Sequence, residues 1–417
     1  MLIYCPVITP RVIYIMNIIV GRLWQTEFRL TDNIQEYENH DGIKFAYGND
    51  AVEGIYFKAV NLLFEENIRP QLLSPVSWHG LQLFFPVNQS AIPFDPFALA
   101  FYLITRYEEY LPDIETDVHN RFKVTGSAAF LNGFHRKPVI NIIANILAEM
   151  IRKQYPDFPV KKNPFRILTT YDVDIAYQYK GKNTLRFTGS LLKSILKSDF
   201  NKAGKLLRAL GGKPVEDEYD TFDEHRRYAM ENGSRPVHFI LTAPFGKYDR
   251  NISPESKAFR NLVRKLSEFS DIGIHPSYYS SEKEILIGKE KKKLEKICGF
   301  PVMQSRQHFL RFSFPDTFRA LMKYNITDDY SLGWPDEVGF RASIANPFPW
   351  YDLSAETETS LILHPLTVMD GALAHITKNS KEQEEIIRAI IDEVQNTGGE
   401  VVTLSHNSYS VSSLLGS

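Results

Sequence analysis

The sequence predicts an α/β protein in two parts, a mixed α/β unit over 1–160 and a strand-and-helix domain over 161–417. Three observations lead there. The chain has 417 residues, well beyond the ~150 residues of one typical domain. The stretch YPDFPVKKNP at 155–164 sets three prolines and two lysines ahead of an apolar run, a breaker cluster suited to a boundary. Beyond it, seven short apolar runs ending in polar residues alternate with helical patterns. That is the rhythm of a parallel sheet, open or closed as a barrel.

In the first part, apolar residues recur at helical spacing in 11–24, 55–66, 95–110 and 138–154, with an extended stretch at 81–86. RYEEY at 106–110 reads as a helix end that packs a tyrosine against the core. The apolar run 12–20 is too short to span a bilayer and is interrupted by Asn17. A leader would put basic residues before its apolar core and small residues at a cleavage site, whereas Trp24 and Phe28 follow here. A mature cytoplasmic N-terminus is the expectation.

In the second part, strands are expected at 165–171, 236–242, 271–276, 301–305, 326–331, 360–364 and 400–406. Helices are expected at 256–269, 281–297, 315–324 and 381–396. In the last of these, Ile386, Ile387, Ile390, Ile391 and Val394 share one face, as core packing requires. Residues 181–235 form an insertion with a basic amphipathic segment at 185–210, and GKEKKKLEK at 288–296 reads as a solvated helix face.

Composition removes several function classes. With 43% hydrophobic and 24% charged residues the chain is ordinary globular protein. Forty-eight basic residues against fifty acidic ones leave a charge of −2, with no excess to attract nucleic acid or anionic membrane. Cys5 and Cys298 make neither a disulfide framework nor a CxxC pair, which points to a reducing compartment. No glycine-rich phosphate loop and no GxSxG elbow is present.

The chemistry collects where strands end. The first gives TTYDVD, and in an extended segment Asp172 and Asp174 point the same way. Such a pair can divide labour between holding a cation and acting as base, or can cap a turn. His275 follows an apolar run and suits a metal ligand, an acid–base group or a structural histidine. SRQHFLRF carries Arg306, His308 and Arg311, and Arg306 could fix a carboxylate or form a surface ion pair. TDDYS supplies Asp328 and Asp329, LILH supplies His364 as a further candidate ligand, and VVTLSHNS supplies His406. Acids, histidines and an arginine at successive ends of one sheet are hard to explain as core chemistry.

This ordered set resembles the polysaccharide deacetylases of the NodB-homology type, carbohydrate esterase family four, over about residues 165–410. The wording DVD, HPSY, RQHFLRF, DYSLG, GFRA and VMDG also resembles a bacterial group in which such a domain follows an uncharacterised N-terminal domain and which is associated with surface-polysaccharide genes. The resemblance implies a distorted (β/α)7 barrel and hydrolytic removal of N-acetyl or similar acyl groups from a sugar or glycan. By motif, it implies Asp172 as general base, Asp174 and His275 as ligands of a divalent cation, zinc by donor type, and His406 as the acid. Arg306 would orient Asp172 and Asp329 would hold Arg306, with Tyr171, Tyr279 and Arg341 as substrate contacts. The family's second histidine is here Tyr279, a poor ligand because a phenol must lose a proton of pKa ~10. His308, where the usual motif has proline, is the substitute ligand this reading expects. The expected partner is an N-acylated sugar or glycan, with no nucleic acid and no membrane span. A rival reading is a barrel that binds a glycan or a biosynthetic partner without turnover, and another is hydrolysis of a non-sugar amide.

Overall fold

Four short strands open the chain: β1 (Leu2–Tyr4), β2 (Arg29–Thr31), β3 (Lys44–Gly48) and β4 (Tyr56–Lys58). They form a parallel sheet in the order β2-β1-β3-β4. A hairpin of β5 (Pro75–Trp78) and β6 (Leu81–Phe84) follows. The computed structural model describes residues 1–181, 184–211, 213 and 215–408. The first helix, Pro10–Met16, starts on a Thr9 side chain that accepts from the Val12 amide, with Pro10 where its missing N–H costs nothing. It runs on as a π-helical segment, Asn17–Leu23. The expected helices at 95–110 and 138–154 are Pro96–Ile104, ending in the short turn Tyr107–Tyr110, and Val139–Gln154. The expected helix at 55–66 is instead β4 and a 3-10 turn, Asn61–Phe64. Phe57 and Leu63 are both buried, a spacing an extended-then-turned path satisfies as well as a helix, and pairing with β3 claims the backbone.

The second part carries β7 (Phe165–Val173), β8 (Val237–Ile240), β9 (Asp271–Ile274), β10 (Gln304–Ser305), β11 (Asp328–Asp329), β12 (Phe348–Asp352), β13 (Thr357–Leu363), β14 (Leu366–Met369) and β15 (Gly399–His406). All seven expected strands are present, and β12 and β14 are additional. The sheet order is β12-β13-β11-β10-β9-β8-β7-β15-β14, parallel except for β12 against β13. A short link dictates its shape. Only two residues join β13 to β14, a connection that reaches ~11 Å at full extension. Laid flat, seven interstrand steps would hold these strands ~34 Å apart. The sheet therefore curls until its two ends approach, giving a distorted barrel. Among the described residues no helix is long and apolar enough to cross a membrane.

The two parts share one core. A single apolar cluster joins Ile3, Trp24 and Phe97 to Ile240, Phe318 and Trp350. Tyr14 packs on Tyr351 at 4.8 Å and donates to the Pro349 carbonyl. At the same seam lies a fully buried charge network. Arg106 donates to Glu109 Oε1 at 2.7 Å, to Glu108 Oε1 at 2.5 Å and to the Arg341 carbonyl. Arg341 holds Glu109 with two bonds, 2.9 and 2.5 Å, and stands 4.7 Å over the Trp334 ring. Arg341 is thus a structural residue and not the substrate contact expected of it: GFRA supplies one half of a clamp and RYEEY the other. Tyr107 is buried as expected, with the charges of that motif buried beside it.

Removing one member leaves a buried charge without its partner, which costs about 3–5 kcal/mol. Arg341→Ala should lose stability on that scale in urea unfolding. Burial alone would raise the Glu109 carboxyl, but Arg341 and Arg106 outweigh it and hold it below its ordinary value of 4.5. Its contribution is complete above pH 4.5 and fades as pH falls through the lower folded value. The stability gap between the native chain and Glu109→Gln should narrow over that acid range.

Candidate metal and catalytic site

The parallel register of β7 and β15 runs without a bulge from Phe165 opposite Gly399 to Asp172 opposite His406. It sets an acid and a histidine side by side at the strand ends. Asp174 follows one residue beyond β7, and alternation along the strand turns it to the side Asp172 faces. His275 comes directly after β9, and Arg306 directly after β10. Asp172, Asp174, His275, His308 and His406 line one cavity of about 200 Å³, together with Arg121 from the first part of the chain.

Arg306 is fully buried over the Phe239 ring, 4.4 Å from its centre. It donates to the Tyr330 carbonyl and to Asp172 Oδ1, each at 3.0 Å. Asp329 does not hold Arg306, contrary to expectation. Its carboxylate accepts from the Ser305 and Ser331 hydroxyls and the Ser331 amide, so it braces the loop after β11. Burial raises the Asp329 carboxyl above its ordinary range.

Three donor atoms, one each from Asp174, His275 and His308, lie within 4.8 Å of one another. His275 Nδ1 bonds the Arg306 carbonyl at 2.5 Å, and a carbonyl only accepts, so the ring proton sits on Nδ1. Its Nε2 faces Asp174 Oδ1 at 3.1 Å. His308 repeats the arrangement: Nδ1 is 2.9 Å from Asp249 Oδ1, and Nε2 is 3.5 Å from the same Asp174 oxygen. Asp174 Oδ1 is buried without a hydrogen-bond partner. Lone pairs converging on an unsatisfied carboxylate oxygen suit a cation among them, with carbonyl and carboxylate partners orienting both rings from behind. When no cation is bound, protons take its place. Burial disfavours a charged His308, but Asp174 and Asp249 outweigh burial and lift it to about 9. Burial would raise Asp174, yet His308 and His275 hold it well below the usual carboxylate range.

His406 is half-buried, with Nε2 3.7 Å from Asp174 Oδ2. Its Nδ1 meets Asp370 Oδ1 at 2.8 Å, and its amide donates to Asp370 Oδ2 at 2.6 Å. Burial lowers its pKa, but the Asp370 carboxylate overrides that and lifts it to about 10.

Three expectations fail here. Tyr171 is fully buried and stacks on His225 at 3.7 Å, because alternation along β7 sends it to the face opposite Asp172. Tyr279 is 42% exposed, packs near Tyr278 and Tyr248, and does not line the cavity. His364 is spent on Asp328 at 2.9 Å and stacks on Tyr330. Three cavity-side residues escaped the sequence reading. Asp370 lies in VMDG, whose aspartate ahead of a helix was the available signal. Asp249 sits in the long loop after β8 and gave none. Arg121 comes from a loop of the first part, where it bonds Asp117 at 2.7 Å and the Phe309 carbonyl at 2.8 Å.

Residues 1–156 match the model of a family of unknown function (DUF7033). No curated protein matches the chain. Similar solved structures include a protein of Mycobacterium smegmatis described as a polysaccharide deacetylase, at 13% identity and TM-score 0.38, covering 59% of this chain and 78% of that one. They also include PuuE allantoinase, at 10% identity and TM-score 0.37, covering 58% and 78%. A third is the chitin deacetylase of the fungus Colletotrichum lindemuthianum, at 10% identity and TM-score 0.26, covering 61% and 78%. Likeness at this level assigns no activity.

If Asp370 sets the His406 proton affinity, Asp370→Asn should bring His406 down from about 10 toward the ordinary imidazole value of 6.5. NMR titration of the ring in chelator-treated protein reads this directly. An unmoved His406 would place the cause elsewhere.

Proposed function

We propose that the protein is a metal-dependent hydrolase that removes N-acetyl or similar acyl groups from a sugar or glycan. The observation that carries this reading is the three-donor cluster of Asp174, His275 and His308, flanked in one cavity by Asp172 and His406. One carboxylate and two imidazoles suit zinc, and three protein ligands with an open position are the catalytic pattern. A cation held there would supply a Lewis acid that polarises the acyl carbonyl and lowers the pKa of water.

The chain's own residues do the rest. Asp172, held in place by Arg306, takes a proton from the attacking water as oxygen adds to the acyl carbon. His406, kept protonated by Asp370, gives a proton to the departing nitrogen as the C–N bond breaks. The products are a carboxylate and a free amine. Base and acid come from paired positions of adjacent strands, so both side chains enter the one cavity. A purely binding role drew its support from a ligand set lacking a histidine. His308 offers that nitrogen beside Asp174 and His275, which favours turnover.

Mutation separates these roles. Asp174→Ala and His308→Ala should each lose bound metal and turnover together, because a ligand atom is removed. Asp172→Asn should keep its metal while turnover falls by ~10²–10⁴-fold, as for a lost general base. Metal content by elemental analysis, paired with amine release from a panel of N-acetylated sugars, distinguishes the two patterns. Equal metal loss in all three would make Asp172 a ligand, and unchanged rates would remove hydrolysis altogether.

A further inference from the structure

A second and larger cavity, about 670 Å³, is lined by the end of the Asp174 strand, the loop after β8 and the insertion. Two of its lining residues are chain neighbours of site residues: Ile175 follows Asp174, and Arg250 follows Asp249, which holds His308. Consecutive Cα atoms are only 3.8 Å apart, so the backbone that carries Asp174 and Asp249 also reaches the cleft. Its far wall is the helix Thr184–Leu196 of the insertion and the start of the next helix, Phe200–Leu210. Lys193 and Lys197 are one turn apart on the wall-forming face, and Lys202 joins them from the second helix. They set three basic side chains beside one carboxylate, Asp199, with Arg250 in the same lining. Among the described residues no ion pair engages Lys193, Lys197 or Lys202. Like charges at this spacing repel and destabilise a helix. The overall charge of the chain is −2, so the positive charge here is a local concentration and not a property of the whole surface. Tyr219 and Phe245 add aromatic surface, and Phe245 is 57% exposed.

We propose that this cleft binds the anionic groups of the substrate, so that the glycan is an acidic one carrying carboxylate, phosphate or sulfate beside its N-acyl sugar. The inference rests on the hydrolase reading of the adjoining site. Cations in a concave wall strengthen one another's field and draw in an anion. The aromatic surfaces accept the apolar faces of sugar rings. An acidic sugar seated here delivers its neighbour along the chain to the Asp174 end of the cleft, which makes the insertion the element that selects substrate.

The test uses the full chain and two defined probes, a hyaluronan tetrasaccharide, which alternates glucuronate with N-acetylglucosamine, and neutral chitotetraose. Calorimetry should find the hyaluronan fragment bound more tightly, with affinity falling as salt is raised. Combined Lys193→Ala, Lys197→Ala and Lys202→Ala should weaken it by roughly tenfold or more and flatten the salt dependence, as expected for lost charge contacts, with the melting temperature unchanged. Lys197→Glu alone should act in the same direction. Equal affinity for the two probes, or indifference to the lysine substitutions, overturns the proposal. So does binding to phosphatidylglycerol vesicles that needs the three lysines while neither saccharide binds, since that assigns the cleft to a lipid headgroup. Hyaluronan binding retained in His308→Ala supports the cleft as a separate site. If that binding holds while no N-acyl sugar is ever turned over, the hydrolase reading falls and the anionic cleft stands.

Discussion

The pairing of β7 with β15 is the constraint on which the rest depends. Eight residue pairs in unbroken parallel register carry Asp172 and His406 to the same level, with no tolerance for slip. A shift of one residue would turn every side chain of one strand to the other face. Asp172 would then enter the layer that Tyr171 occupies, among His225 and His238. The candidate ligand Asp174 inherits its position from the same strand, because it is simply the next inward residue. Loops contribute the remaining groups. Arg306 is tied to the Tyr330 carbonyl, His275 to the Arg306 carbonyl, and His308 to the Asp249 carboxylate. The arrangement is one in which strands set height while backbone carbonyls and buried carboxylates set orientation.

What could be read from the sequence was what periodicity and punctuation encode. The seven strands and the inward direction of Asp172 and Asp174 follow from alternation ending in polar residues. The same rule, applied one residue earlier, excludes Tyr171 from the cavity, and the resemblance to a family motif masked that consequence. Arg341 was misread for a different reason. A buried arginine and a substrate arginine look alike until the partner is known, and Glu109 lies 232 residues away. β12 and β14 were hidden because FPWYD and LTVM are short apolar runs without alternation, the kind that strand and helix share. His308 was legible only as a substitute for a missing ligand, and Asp249 behind it belongs to a loop with no pattern.

The division into two parts is clear in composition and weak in physics. The apolar core crosses the boundary, and the Arg106, Glu108, Glu109 and Arg341 network places four charges in its interior, where each depends on the others. The first part also reaches the cavity itself: Arg121 lines it, and the His119 carbonyl accepts from Arg311 at 2.8 Å. A barrel cut from its N-terminal partner would lose a wall of the site along with much of its core.

The sheet order also bears on how the chain comes off the ribosome. β15 is not an edge strand; it lies between β7 and β14. β7 is made early and its long-term neighbour more than 230 residues later. At a synthesis rate of about 5–20 residues per second, that interval is on the order of 10–50 s. Throughout it, the nascent protein presents the nine-residue edge of β7 that β15 will cover, with its hydrogen-bonding groups unpaired, a template for pairing with other chains. The register that aligns Asp172 and His406 in the finished molecule makes its maturation dependent on shielding that edge, so the demand on cellular folding assistance follows from where β15 is inserted.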